Sequence, residues 1–172
     1  MNTITRLDAE THFRATGTAP RPVFQNNFTG APRMLRQAIQ AEADTIEDAA
    51  LQPLATDAAK PFAQARAVLA LNAHCYARQI YRSTEIANTA AQDPDFPWLW
   101  WEEFPNARAV RRFRVENRAA VHRCLVAALR FLVEQKISAG VLTKVDGPQL
   151  AKEAGRRIIM AAFADGLELD GE

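Results

Sequence analysis

Seven arginines fall between Asn106 and Phe131, at positions 108, 111, 112, 114, 118, 123 and 130, against one acid, Glu116. A guanidinium is permanently charged and carries a rigid fork of donors that matches carboxylate or phosphate oxygens two at a time. The formal net charge of the chain is only +1, so this concentration is local. A basic helix on a small domain is the electrostatic footprint of a polyanion partner, most often nucleic acid. On that reading Arg108, Arg111, Arg112, Arg114 and Arg118 contact phosphates, and one or two of them reach base edges in the major groove. Arg78 and Arg82 extend the basic surface from a preceding turn. The competing reading is a solvated face whose guanidiniums pair with acids of the first helix, Glu42, Asp44, Glu47 and Asp48, and near-zero net charge favours it.

Other chemistry finds little support. His12, His74 and His122 are scattered, and no His, Cys, Asp or Glu cluster has metal-ligand spacing, so no metal or cofactor is expected. His74 and Cys75 are adjacent, but neighbours on a helix point about 100° apart. One is expected in the core and the other at a polar edge, not as a thiol–imidazole pair. The seven glycines are too dispersed for a phosphate loop, and Glu102 and Glu103 sit side by side instead of facing across a cleft. No enzymatic activity is expected.

The elements that must position the arginines read as helices. After an irregular arm over 1–30, where Phe24 and Phe28 are candidates to pin it to the body, a first helix is expected over 31–51 with Met34, Leu35, Ile39, Ile46 and Leu51 inward. A second follows Asp57 as cap and Pro61 in its first turn, with Phe62, Ala65, Leu69, Ala73 and Tyr76 at spacings of three and four. Val68, Leu71 and Cys75 widen that face and place the helix at the centre of the fold. Tyr81 and Arg82 form a turn, and Ser83 or Thr84 caps a short third helix with Glu85 near its positive end. This is the outline of a helix-turn-helix corner.

Pro94, Pro97 and Pro105 then punctuate an aromatic group, Phe96, Trp98, Leu99, Trp100, Trp101 and Phe104. Such a group either closes one end of the core or stacks on bases, and the first use is the commoner. Asn106 caps the arginine-rich helix, whose buried stripe is Val110, Phe113, Val121, Leu125, Ala128 and Leu132. Arg111, Arg114, Arg118 and His122 share a face, and the helix bends or restarts near Glu116-Asn117, with Asn117 a candidate second cap. Residues 137–145 could hold a short extended segment. A last helix runs from Pro148 to about Ala164 behind Asp146, carrying Leu150, Ile158, Ile159, Met160 and Phe163, with Gly155 its weak point.

The expectation is an all-α bundle of about five to six helices, forming a single helical domain over 31–172. At 172 residues and 48% hydrophobic content the chain can build one proper core. No apolar run reaches membrane-spanning length, and the N-terminus lacks a secretory signal, so a cytoplasmic protein is expected, nucleoid-associated if it binds DNA. Cys75 and Cys124 read as small buried residues, although sequence alone leaves a disulfide between them open.

The segment LNAHCYARQIYRSTEIANTAAQDPDFPWLW, followed by RAVRRFRVENRAAVHRCLVAALRFLVEQ, resembles the helical N-terminal domain of InsH-type DDE insertion-sequence transposases. The shared pattern is an aliphatic helix ending in Tyr, a turn into Ser, an Ile-bearing helix, an Asp-aromatic-Leu segment and a helix with Phe-Arg. It covers 61–146, about half the chain. The resemblance implies a domain that engages the element's terminal DNA ahead of an RNase-H-like catalytic core. Asp146-Gly147-Pro148 stands near the place of that family's first catalytic Asp, in an Asp-Gly-Thr-like motif. The chain departs from the pattern directly after it, and two-metal phosphoryl transfer needs several converging carboxylates. Asp146 is therefore expected to cap the last helix and not to act in catalysis.

The leading expectation is a non-catalytic DNA-binding helical protein related to such a domain. The alternative is a protein–protein interaction module, its partner a second copy or a full-length transposase.

Overall fold

The computed structural model describes residues 31–54, 59–92, 105–142 and 144–169. The arm over 1–30, the Asp57 cap and the aromatic group over 93–104 lie outside the described residues. Six α-helices and one 3-10 turn make up the rest: α1 Ala31–Asp44, the 3-10 turn Asp48–Ala50, α2 Pro61–Ala77, α3 Ser83–Gln92, α4 Ala107–Glu116, α5 Arg118–Ser138 and α6 Gly147–Leu169. No strand occurs among the described residues, and α5 continues through Ser138 where an extended segment was expected. The architecture is all-α.

Helix α2 is the axis of the molecule. Pro61 stands at its start, where a fixed φ and a missing N–H cost nothing. Every residue from Ala67 to Ala77 is buried, as a helix that is apolar on all sides requires. Helix α5 packs against α1, α2 and α6, α1 lies on α2, and α3 rests against α4. All six helices contribute to one buried cluster, including Ile39, Leu69, Ile86, Phe113, Leu125 and Ile158. The expected stripe Val110, Phe113, Val121, Leu125, Ala128 and Leu132 is buried throughout. Both cysteines are buried, and neither is in a disulfide. His74 is buried along with Cys75, correcting the expected polar edge.

Helix α1 is shorter than expected, α6 runs on to Leu169 beyond the expected Ala164, and Asn117 acts otherwise than expected. Helix α1 stops at Asp44, because Thr45 turns back on Glu42, its N–H and hydroxyl both donating to that carbonyl at 3.1 and 2.7 Å. Ile46 and Leu51 still reach the core, but from a turn, while Met34 is 52% exposed. Helices α4 and α5 separate at Asn117, as expected, yet Asn117 does not cap with its side chain. Instead its amide exchanges hydrogen bonds with the Gln52 backbone, accepting from the N–H at 2.8 Å and donating to the carbonyl at 2.9 Å. The connection after α1 is thereby tied to the corner between α4 and α5.

Helix α2 ends in a Schellman turn. Ile80 N–H donates to Cys75 O at 2.9 Å and Gln79 N–H to Tyr76 O at 3.1 Å, with Gln79 at φ 64°. Gly140 occupies the equivalent place after α5 at φ 72°, where glycine adopts the left-handed region without strain. Gln79 bears that strain. Gln79→Gly is expected to raise stability by about 1 kcal/mol, and Gly140→Ala to lower it by a similar amount, in thermal melts followed by circular dichroism.

Candidate nucleic-acid interface

Asn106 caps α4 as expected, its Oδ1 accepting from Ala109 N–H at 2.9 Å, and this fixes the direction in which each arginine of α4 leaves the helix. The arginines then separate into two groups. Arg114 points inward and is 5% exposed. Its Nε donates to Asp165 Oδ2 at 2.9 Å, and one terminal nitrogen donates to Tyr81 O at 2.9 Å and Tyr76 Oη at 3.2 Å. Its other terminal nitrogen contacts Asp165 Oδ1. Burial is the main reason the Tyr76 hydroxyl is pushed up to about 12, partly offset by Arg114, so that hydroxyl stays neutral. Arg111, one turn earlier, reaches Ser83 Oγ at 3.2 Å and Glu168 Oε2 at 3.3 Å and keeps little exposure.

Glu168 also accepts from the Ser83 and Thr84 hydroxyls, the latter at 2.6 Å. Burial raises its carboxyl, but the hydrogen bonds from Ser83 and Thr84 outweigh that and hold it below the ordinary carboxylate range. Asp165 and Glu168 therefore join α6 to α4 and to the start of α3. Arg111 and Arg114 do not stand in solvent as phosphate contacts. A carboxylate on a facing helix desolvates both guanidiniums and saturates the donors a phosphate would need.

Arg112 is intermediate. It donates to Leu54 O at 2.7 Å and lies 3.9 Å from Glu116, while its side chain stays 56% exposed. Arg78, Arg82, Arg108 and Arg118 are exposed and have no side-chain partner among the described residues. The face expected to join Arg111, Arg114, Arg118 and His122 is broken by the corner at Asn117. His122 instead lies 3.0 Å from Ala151 O of α6.

The first helix supplies less neutralisation than its acids suggested. Glu42 pairs with Arg123 at 2.5 Å and Asp48 with Arg66 at 2.6 Å. Neither of those arginines belongs to the proposed interface. The counter-charges that matter are in α6, and there sequence reading missed them. Glu153, Arg157, Ala161, Asp165 and Glu168 recur at three and four, which is the periodicity of a single helix face. That face alternates with Ala154 and Ile158, so it reads as apolar with polar interruptions until its partners are known.

Arg157 is a further guanidinium missed as structural. Its side chain is fully buried, it donates to the last carbonyls of α2, Tyr76 O at 2.7 Å and Ala77 O at 2.9 Å, and Glu153 holds it at 2.7 Å. At the start of α6, Asp146 Oδ1 accepts from Gln149 N–H at 3.2 Å, the capping role expected of it. Among the described residues no group of three or more His, Cys, Asp or Glu could hold a metal ion, and no helix is long and apolar enough to cross a membrane. No protein-family model, no curated protein and no solved structure matches the chain.

Proposed function

We propose that the chain is a non-catalytic DNA-binding protein related to the helical domain of InsH-type transposases. Its phosphate contacts are a shorter set than the sequence implies: Arg78, Arg82, Arg108 and Arg118, with Arg112 in support. The observation that carries this reading is the exposure of the first four beside neighbours that are fully committed to acids. Cations left open while adjacent ones are neutralised are the ones a polyanion can use. Arg78 and Arg82 belong to the turn between α2 and α3, Arg108 to the first turn of α4, and Arg118 to the first turn of α5. On this reading the α2–α3 corner serves as the helix-turn-helix element.

About four phosphate contacts give a modest salt slope, so retention on duplex DNA is expected to fall about 10²-fold between 50 and 200 mM salt. Arg108→Glu combined with Arg118→Glu should abolish retention at low salt and leave the melting curve in place. Undiminished retention by that double variant, or no retention of the natural chain in dilute buffer, would defeat the proposal.

A second reading, an interaction module without nucleic-acid contact, is favoured by one observation. The most basic helix already has its anionic partner in α6. Absence of DNA retention in the same assay would leave this reading standing.

A further inference from the structure

The last two turns of α6 are attached to the bundle differently from the rest of that helix. Leu150, Ala154, Arg157, Ile158 and Ala161 are buried, and small alanines let the helix lie close to its neighbours. Beyond Ala161 no described residue of α6 is buried. Ile159, Met160 and Phe163 are exposed, which corrects the expectation that they fill the core, and Leu167 is exposed with them. Of the final turns only Ala164, Asp165 and Glu168 are half-buried. Two carboxylates, and no large apolar side chain, hold these turns down.

The two carboxylates are not equivalent. Asp165 closes on Arg114, a buried guanidinium that Tyr81 O and Tyr76 Oη also hold. Glu168 meets the Ser83 hydroxyl, the Thr84 hydroxyl at 2.6 Å and Arg111 at 3.3 Å. Between them stands Gly166. A Cβ there would meet nothing within 4 Å, so packing does not call for glycine. Glycine inside a helix weakens the turn that it occupies. Unwinding from Gly166 onward releases Glu168, leaves Asp165 on Arg114 and uncovers no buried apolar residue.

Glu168 also lies against the arginines that remain open. Arg82 immediately precedes Ser83, and Arg108 stands one turn before Arg111 on the same side of α4. A phosphate approaching this pair meets a carboxylate that repels it. That carboxylate already takes the two hydroxyls and the guanidinium that phosphate oxygens would accept from.

We infer that Glu168 is an intramolecular brake on the interface proposed above. In the closed chain its carboxylate occupies the place of a phosphate, and duplex DNA displaces it as the last turn of α6 unwinds at Gly166. The inference rests on the DNA reading and adds regulation to it. Binding belongs to the open form, so whatever firms the closed turn lowers apparent affinity in proportion to the open fraction.

Fluorescence anisotropy with a labelled duplex at about 50 mM salt tests the brake. Glu168→Gln keeps an acceptor for the hydroxyls but removes the charge. It should melt as the natural chain does and bind about tenfold more tightly. Glu134→Gln makes the same change in net charge near the far end of α5, and should stay within about twofold of the natural chain. Gly166→Ala should weaken binding about fivefold, the factor by which alanine favours a helix over glycine. It should lose that effect in a chain that also carries Glu168→Ala. Amide hydrogen exchange over residues 166–169 should quicken when duplex is added.

Three results overturn the brake and leave the DNA reading standing, provided that the natural chain binds. They are Glu168→Gln binding no more tightly than Glu134→Gln, Gly166→Ala binding as well as the natural chain, and exchange over 166–169 unmoved by duplex. Failure of both the natural chain and Glu168→Gln to bind overturns the brake and the DNA reading together.

Discussion

Arg114→Ala is expected to cost the fold about 3–5 kcal/mol, the usual consequence of removing one partner from a buried ion pair. The loss has several parts. Asp165 is left without its guanidinium partner in a mostly buried site, the Tyr81 carbonyl loses its donor, and the space filled by the guanidinium against the Tyr76 ring opens. Midpoint shifts in urea measured by circular dichroism would show the effect. Arg114→Lys should recover only part of it, since an ammonium cannot present the planar fork that spans Asp165 and Tyr81 together. A variant as stable as the natural chain would mean that Arg114 faces solvent after all. The same reasoning changes what a double charge reversal at 111 and 114 would report. It places carboxylates against Asp165 and Glu168, so loss of DNA retention in that variant would reflect unfolding and would say nothing about phosphate contacts.

Arg157→Ala is expected to have an effect of comparable size, about 3–5 kcal/mol, because its guanidinium closes the end of the central helix. Its support from Glu153 also makes the fold sensitive to acid. The hydrogen bonds from Arg156 are the largest influence on that carboxyl. Partial burial opposes them, Arg157 adds to them, and the result is a value pushed down to about 2 from an ordinary 4.5. A carboxylate depressed on folding stabilises the folded chain above its unfolded value and ceases to do so as pH falls through the folded one. The contribution of Glu153 is therefore complete near neutrality and disappears between about pH 4.5 and pH 2. Melting temperature should fall across that window more steeply in the natural chain than in Glu153→Gln, which cannot titrate. Parallel curves for the two proteins would remove Glu153 from the account.

Much of the fold was legible because helix periodicity and capping are local properties. Asn106, Pro61, Asp146 and the stripe from Val110 to Leu132 all stand where spacing put them. The fate of the arginines was not legible, for a physical reason. A basic residue at a given spacing looks the same whether it faces water or a carboxylate that arrives from a helix some fifty residues later in the chain. Arg114 and Asp165 meet only once α6 has docked, and neither residue carries a local signature of the other. Which apolar side of α6 turns inward was not legible either. Ile158 and Ile159 are adjacent and equally apolar, yet one is buried and the other is 60% exposed. Composition cannot tell which of two apolar sides a helix turns inward when both are long enough to fill one.

Cys75 and Cys124 have a practical consequence. They are the chain's two cysteines, they sit on the paired central helices, and burial first of all pushes the Cys124 thiol up to about 12. Both are fully buried, so neither is within reach of an alkylating reagent while α2 and α5 remain together. Their labelling rate under native conditions is thus an internal clock for separation of those two helices, and a fraying terminus leaves it unmoved.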